Sequence, residues 1–209
     1  MSVEYWNKTH KEKYSKADWV NKPSIFATQA IKFFPKAGKL LEIGAGQGGD
    51  ADYFQSLGYK VTATDYSNEA LRNAEERVKN VNFINLDTSQ GLPFDDESFD
   101  VVYSHMALHY FDSQTTAQVF KDIHRVLKVD GILAIITNTM DDPEKEEDKY
   151  IELEPEYYKD PKGIDKRYFS LESIKSFTVN LFEPLLIDNE GKTYKDDIKT
   201  LVRFVGKKK

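Results

Sequence analysis

The sequence predicts an α/β fold, a doubly wound and mainly parallel sheet with helices on both faces. Three observations carry that expectation. From Lys39 onward short apolar segments alternate with helical ones, the order that builds parallel sheets. The run Ile132-Leu133-Ala134-Ile135-Ile136 is continuously apolar rather than alternating, as a strand covered on both faces must be. The first strand runs into the glycine-rich turn Gly44-Ala45-Gly46-Gln47-Gly48-Gly49 that opens a helix, and in such folds ligands bind outside the carboxyl ends of the strands.

Taken in order, residues 1–23 are polar with scattered aromatics (Tyr5, Trp6, Tyr14, Trp19) and end at Pro23. The segment 24–34 reads as a helix capped by Ser24, so residues 1–35 are expected to form an N-terminal helical cap. Lys39–Ile43 is a strand ended by glycine. Gly48–Leu57 is a helix closed by Gly58. Tyr59–Thr64 is rich in β-branched residues and leads to Asp65. Ser67 can cap the next helix, whose Leu71, Ala74 and Val78 share one face. Val81–Leu86 is a strand ending at Asp87, residues 91–98 form a turn, and Phe99–Ser104 is the fourth strand. A helix begins at Asp112 or Ser113 with Ala117, Phe120, Ile123 and Leu127 apolar, and Gly131 opens the strand 132–137. A short helix from Ser170 and strands near 181–188 and 199–206 finish the chain.

Residues 138–169 break this rhythm. They are strongly charged yet carry Tyr150, Tyr157, Tyr158, Tyr168 and Phe169, and Pro143, Pro155 and Pro161 argue against one continuous helix. A connection this long is expected to be a lid or substrate loop, with a plain solvated loop as the alternative.

Composition bounds the function. The chain has 209 residues, 40% of them hydrophobic, which suits one domain spanning 1–209. A net charge of -6 makes a nucleic-acid partner unlikely. With no cysteine, thiolate catalysis, disulfides and cysteine metal sites are excluded. There is no signal-peptide core and no apolar run near the ~20 residues that span a bilayer, so a cytoplasmic protein without a membrane partner is expected.

The glycine turn fits two chemistries. Gly44-x-Gly46-x-x-Gly49 is the dinucleotide fingerprint, and Asp65 stands 65 − 44 = 21 positions on, where a ribose-binding acid is expected. Glu42-x-Gly44-x-Gly46-x-Gly48 is equally the pattern of methyltransferase cofactor loops. Features outside the loop favour the second. A long polar and helical segment precedes the turn, and a carboxylate at Glu42 suits a ligand with a cationic amino end. Asp87 ends the third strand, ahead of Leu92–Asp100.

With these blocks in order, the chain resembles the class I S-adenosylmethionine-dependent methyltransferases. LLEIGAGQGG at 40–49, VTATDYS at 61–67, INLDTSQGLPFDDESFDVVYSHMALHYF at 84–111 and HRVLKVDGILAI at 124–135 carry the likeness. Trp6, Tyr14 and the segment Arg167–Glu172 look most like the tellurite-resistance-type small-molecule enzymes. The resemblance implies a Rossmann-like seven-stranded sheet whose last strand is antiparallel, with S-adenosyl-L-methionine as cofactor. It implies that Gly44, Ala45 and Gly46 line the methionine part of the cofactor and that Asp65 holds the ribose hydroxyls. Tyr66 then flanks the adenine, Asp87 and Thr88 stand at its edge, and Ser104 gives backbone contacts. Val129-Asp130-Gly131 departs from the usual proline-glycine-glycine turn.

Methyl transfer is an in-line displacement in which the protein orients and desolvates the nucleophile. His105 and His109 follow the fourth strand, where an acceptor would lie, so His109 is the candidate base or acceptor contact and His105 a substrate contact. Their i, i+4 spacing has Met106 where a zinc helix needs Glu, so no metal is expected. Tyr14, with Tyr5, Trp6 and Trp19, is a candidate wall of the acceptor pocket. His124 reads as structural, and His10 gives no signal. The amino-methylating Asn-Pro-Pro-Tyr-type loop is absent, which favours a small-molecule acceptor. An NAD-dependent oxidoreductase and a non-catalytic S-adenosylmethionine-binding regulator stand as alternatives.

Overall fold

The structure is a computed structural model, and it describes residues 2–17, 19–140, 149–193 and 201–209. Its main sheet has seven strands: β1 (Lys39–Ile43), β2 (Lys60–Asp65), β3 (Asn82–Asn85), β4 (Phe99–His105), β5 (Leu127–Thr137), β9 (Phe182–Gly191) and β10 (Leu201–Lys208). They lie in the order β3-β2-β1-β4-β5-β10-β9. The five strands β1 to β5 are parallel to their neighbours, whereas β10 is antiparallel to both β5 and β9. The last strand is therefore the antiparallel one, as expected. Strand order reverses between β1 and β4, and that switch point is where α/β sheets open a crevice at their carboxyl edge.

Alternation along β1 sorts the two cores. Leu40 joins Phe26, Phe54, Val61 and Tyr103 beneath α2 (Ile25–Ala30) and α3 (Gly49–Ser56), while Leu41 and Ile43 join Phe120, Ile123 and Phe169 beneath α5 (Ser113–Val126) and α6 (Leu171–Thr178). Residues 40–43 are buried on both faces, Glu42 included.

The helix starts follow from capping residues. The side chains of Ser24, Ser67, Asp112 and Ser170 accept the N–H of Ala27, Ala70, Thr115 and Ser173, which starts α2, α4 (Asn68–Arg77), α5 and α6. Each such cap is worth about 0.5–2 kcal/mol. At its N-terminus the chain forms α1 (Val3–Glu12) and a 3-10 turn at Tyr14–Lys16.

Two expectations need correction. β5 begins at Leu127, not at Ile132, and passes through Asp130 at φ 62. The irregular loop expected over 138–169 contains an antiparallel sheet of β6 (Ile151–Glu154), β7 (Tyr157–Lys159) and β8 (Asp165–Arg167). Pro155 and Pro161 stand in its two turns, where a missing N–H costs no ladder bond. This sheet is fastened to the main one by hydrogen bonds from the N–H of Arg167 to the carbonyl of His109 (2.7 Å) and from that of Phe169 to Asn138 (2.9 Å). Pro143 and the charged run around it, residues 141–148, lie outside the described residues. Among the described residues no helix is long and apolar enough to cross a membrane.

Candidate active site

The glycine turn leaves β1 directly at the switch point. Gly44 has φ 75, and a Cβ there would stand 2.1 Å from the Cβ of Ala107 in the segment after β4, so only glycine fits. The N–H groups of Gly44 and Ala45 both bond the Thr64 carbonyl at 2.8 Å, and that of Gly46 bonds Asp65 Oδ2 at 2.8 Å. Gly48 donates to Ala45. These N–H groups are spent inside the protein, so this stretch does not offer the donor array that a pyrophosphate needs.

The turn presents a carboxylate instead. Asp65 ends β2 and is held from both sides, since Oδ1 accepts the Ser67 N–H at 2.8 Å while Oδ2 takes Gly46. Burial raises its pKa, and His10 and the N–H groups of Ser67, Gly46 and Tyr66 oppose that rise. At the end of β3 Asp87 Oδ1 accepts from the N–H and hydroxyl of Ser89 at 3.0 and 2.6 Å.

Above this edge lies a cavity of about 800 Å³, within the ~300–1,000 Å³ of small-molecule sites. Gly44, Ala45, Gly46, Asp65, Tyr66, Asp87 and Thr88 line it, and so do the sequence candidates Tyr14, His105 and His109. Ser104 is not among the lining residues; its hydroxyl donates to the Ile43 carbonyl at 2.8 Å and ties β4 to β1. Nor is Glu42, which is buried behind the turn with Oε2 unpartnered. Burial, reinforced by Asp50 and Asp65, pushes its carboxyl well above the usual range. Burial thus works against the counter-charge expected of Glu42.

α1 forms the roof. Asn7 Oδ1 accepts from the Ser67 hydroxyl (2.8 Å) and the Glu69 N–H (3.3 Å), and the His10 carbonyl accepts from Gln47 Nε2 (3.3 Å). The His10 ring packs against Tyr14 at 5.2 Å and Trp6 at 6.2 Å, and its Nδ1 is unpartnered. Burial lowers its pKa, against the pull of Asp65.

The wall opposite comes from the segment after β4. Met106 sits there at φ 56, a conformation that strains a side chain of its size by ~1–3 kcal/mol and that clusters at functional sites. His109 is 1% exposed, with its ring 4.1 Å from that of Tyr110, which in turn meets Trp6 at 5.2 Å. Burial, then Lys166 and His105, lowers the His109 pKa to about 3. Its ring is neutral at physiological pH and a weak base, and its Nδ1 is buried without a hydrogen-bond partner. Tyr110 is partly buried, and its hydroxyl is pushed well above its ordinary pKa, by burial first.

Sequence reasoning missed His10, Asn138 and Lys166, all of which line the cavity. His10 had a signal, because Trp6, His10 and Tyr14 recur at i, i+4 and i+8. Asn138 and Lys166 had none, because the long-range pairing of β8 brings Lys166 in. Among the described residues no group of three or more His, Asp or Glu side chains gathers to hold a metal.

Residues 41–135 match the family model described as a methyltransferase domain. That match spans 95 of the 209 residues and makes the chain similar to methyltransferase domains. The chain is 30% identical over 103 residues to a malonyl-[acyl-carrier protein] O-methyltransferase of Enterobacter lignolyticus, a match covering 49% of this chain and 40% of that one. An uncharacterised Synechocystis methyltransferase is 31% identical over 98 residues, covering 47% and 46%. The chain thus spans less than half the length of these curated relatives. Among solved structures, Burkholderia thailandensis 1,6-didemethyltoxoflavin-N1-methyltransferase, with its substrate and S-adenosylhomocysteine bound, superposes with a TM-score of 0.73. That match has 18% identity and covers 98% of this chain and 85% of that one. A Methanosarcina mazei methyltransferase gives 0.72 at 22% identity, covering 86% and 96%. At these identities the structures speak for the fold.

Proposed function

We propose that the protein is an S-adenosylmethionine-dependent methyltransferase that transfers the cofactor's methyl group to a small-molecule acceptor inside the cavity at the β1/β4 switch point. The observation that carries this reading is the division of that cavity. Its β1–β3 side offers Asp65, Asp87 and the glycine turn, and its β4–β5 side offers a desolvated chamber of His109, Tyr110 and Trp6. Asp65 is the residue to hold the ribose hydroxyls, with Tyr66 and Thr88 about the adenine and Gly44 to Gly46 along the methionine part. The bound cofactor supplies an activated methyl on a sulfonium leaving group.

The chain's own part is to orient and exclude water. The aromatic roof of Trp6, Tyr14 and Trp19 keeps the chamber dry, which strengthens every polar contact within it. His109 serves as a neutral hydrogen-bonding group toward the acceptor, and His105 lies beside it. The β6–β8 sheet brings Lys166 to the far wall, which supports reading this segment as a lid or substrate segment. A small acceptor suits a cavity of this size, and the bound 1,6-didemethyltoxoflavin of the Burkholderia relative is consistent with it. A net charge of -6 disfavours nucleic acid, and the cysteine-free composition fits the cytoplasm.

The nicotinamide alternative finds the N–H groups of Gly44, Ala45, Gly46 and Gly48 already taken within the protein. Thermal-shift measurements decide between the two readings. S-adenosylhomocysteine should raise the melting temperature and NADH should leave it unchanged; stabilisation by NADH alone overturns the assignment.

A further inference from the structure

We propose that the acceptor is a small organic acid whose carboxylate oxygen takes the methyl group, seated against Lys166 and His109 over the ends of β4 and β5. This rests on the methyltransferase reading above. Among the described residues lining the cavity the only carboxylates are Asp65 and Asp87, at the ends of β2 and β3. The other half presents Lys166, Asn138, His105 and His109. Lys166 arrives on β8, which the Arg167 N–H fixes to the carbonyl of His109 at 2.7 Å. Its ammonium lies 3.5 Å from Asp160 Oδ2, while Asp160 Oδ1 is spent on the N–H groups of Lys162 and Ile164. An ammonium-bearing acceptor entering this half meets a like charge. A carboxylate meets the Lys166 ammonium, with the neutral imidazole of His109 in the wall beside it.

The second argument concerns the proton. A hydroxyl, thiol or ammonium acceptor must lose a proton on the way to product, and a base suited to that task titrates near neutrality. His109, with its pKa near 3, is a poor one, and the Tyr110 hydroxyl, raised by burial, keeps its own proton. A carboxylate is already ionised at neutral pH. Its lone pair forms the new O–CH3 bond as the S–CH3 bond breaks and that electron pair returns to sulfur. Anion and sulfonium become a neutral ester and a neutral thioether, no proton moves, and the loss of charge is favoured in a dry site.

The full chain, given methyl-labelled S-adenosylmethionine, is offered aliphatic and aromatic carboxylic acids with their matched amides and primary amines. Label should enter the acids and be released as volatile methanol by mild alkali. The rate should fall at least ten-fold in Lys166→Gln and recover in Lys166→Arg, with melting curves confirming that both variants fold. Calorimetry on protein saturated with S-adenosylhomocysteine should show benzoate binding more tightly than benzamide, and Lys166→Gln should abolish the difference. Alkali-stable label on amines or carbon overturns the proposal. So does an unaffected Lys166→Gln, or an unlabelled acid panel, when S-adenosylhomocysteine still binds. Loss of S-adenosylhomocysteine binding in the parent protein overturns the methyltransferase reading itself.

Discussion

Asp65 and Gly46 are joined at the edge of the cavity, the carboxylate Oδ2 of one accepting the N–H of the other at 2.8 Å. Because Oδ1 simultaneously holds the Ser67 N–H, one side chain sets both the glycine turn and the start of α4. The group that would meet the ribose is thereby fixed before any ligand arrives, which lowers the ordering cost of binding.

Asp65→Ala should weaken S-adenosylhomocysteine binding by about 1–3 kcal/mol, from lost hydrogen bonds to the ligand and a loosened turn. Asp65→Asn keeps an acceptor oxygen and should lose less. Calorimetric affinities for the three proteins check this; equal affinity in parent and Ala variant refutes the role.

Gly44→Ala forces a left-handed residue to carry a Cβ 2.1 Å from that of Ala107. A loss of about 1–3 kcal/mol in denaturant unfolding is expected from overpacking and backbone strain together. Adding Ala107→Gly removes the clash but not the positive φ, so the double variant should recover only part of it.

His109 makes stability depend on pH. Its folded pKa of about 3 lies below the ordinary 6.5, so in between the unfolded chain binds the extra proton. The folded state therefore loses stability as pH falls from 6.5 towards 3, and gains nothing above 6.5. By pH 5 the loss is about 2 kcal/mol from this residue. The buried carboxyls Asp65 and Glu42, with raised pKa values, work in the opposite direction. The difference between parent and His109→Asn unfolding curves at pH 7 and pH 5 isolates the histidine, and the variant should show the smaller acid loss.

Arg167 is the fastening of the small sheet. Its guanidinium is 3% exposed; it pairs with Glu154 and donates to the carbonyls of Phe111 and Pro155 at 3.3 Å, while Glu154 also takes the Ser113 N–H at the start of α5 at 2.6 Å. Arg167→Met should cost about 1–3 kcal/mol by leaving Glu154 and two part-buried carbonyls without their donor. Amide exchange should quicken across 151–169 before it does in β1 or β4; uniform exchange contradicts this fastening.

What the sequence makes legible is local. Ser24, Ser67, Asp112 and Ser170 announce their helices because a cap is a short-range bond, and the strand ends at Asp65 and Asp87 follow from apolar runs stopped by an acid. The β6–β8 sheet is obscured because Pro155 and Pro161 mark it as irregular, whereas they occupy its turns. Glu42 reads as a ligand contact from its place in the motif, but alternation along β1 turns it to the Leu40 face, behind the turn. Lys166 and Asn138 enter the site through pairings between β8, β5 and the segment after β4, which no local pattern encodes.

A crystal structure grown with S-adenosylhomocysteine tests the central claim most directly. The account predicts the ribose hydroxyls within hydrogen-bond distance of the Asp65 carboxylate and the sulfur directed toward the chamber of His109 and Tyr110. A ligand bound elsewhere, or with its ribose away from Asp65, contradicts it.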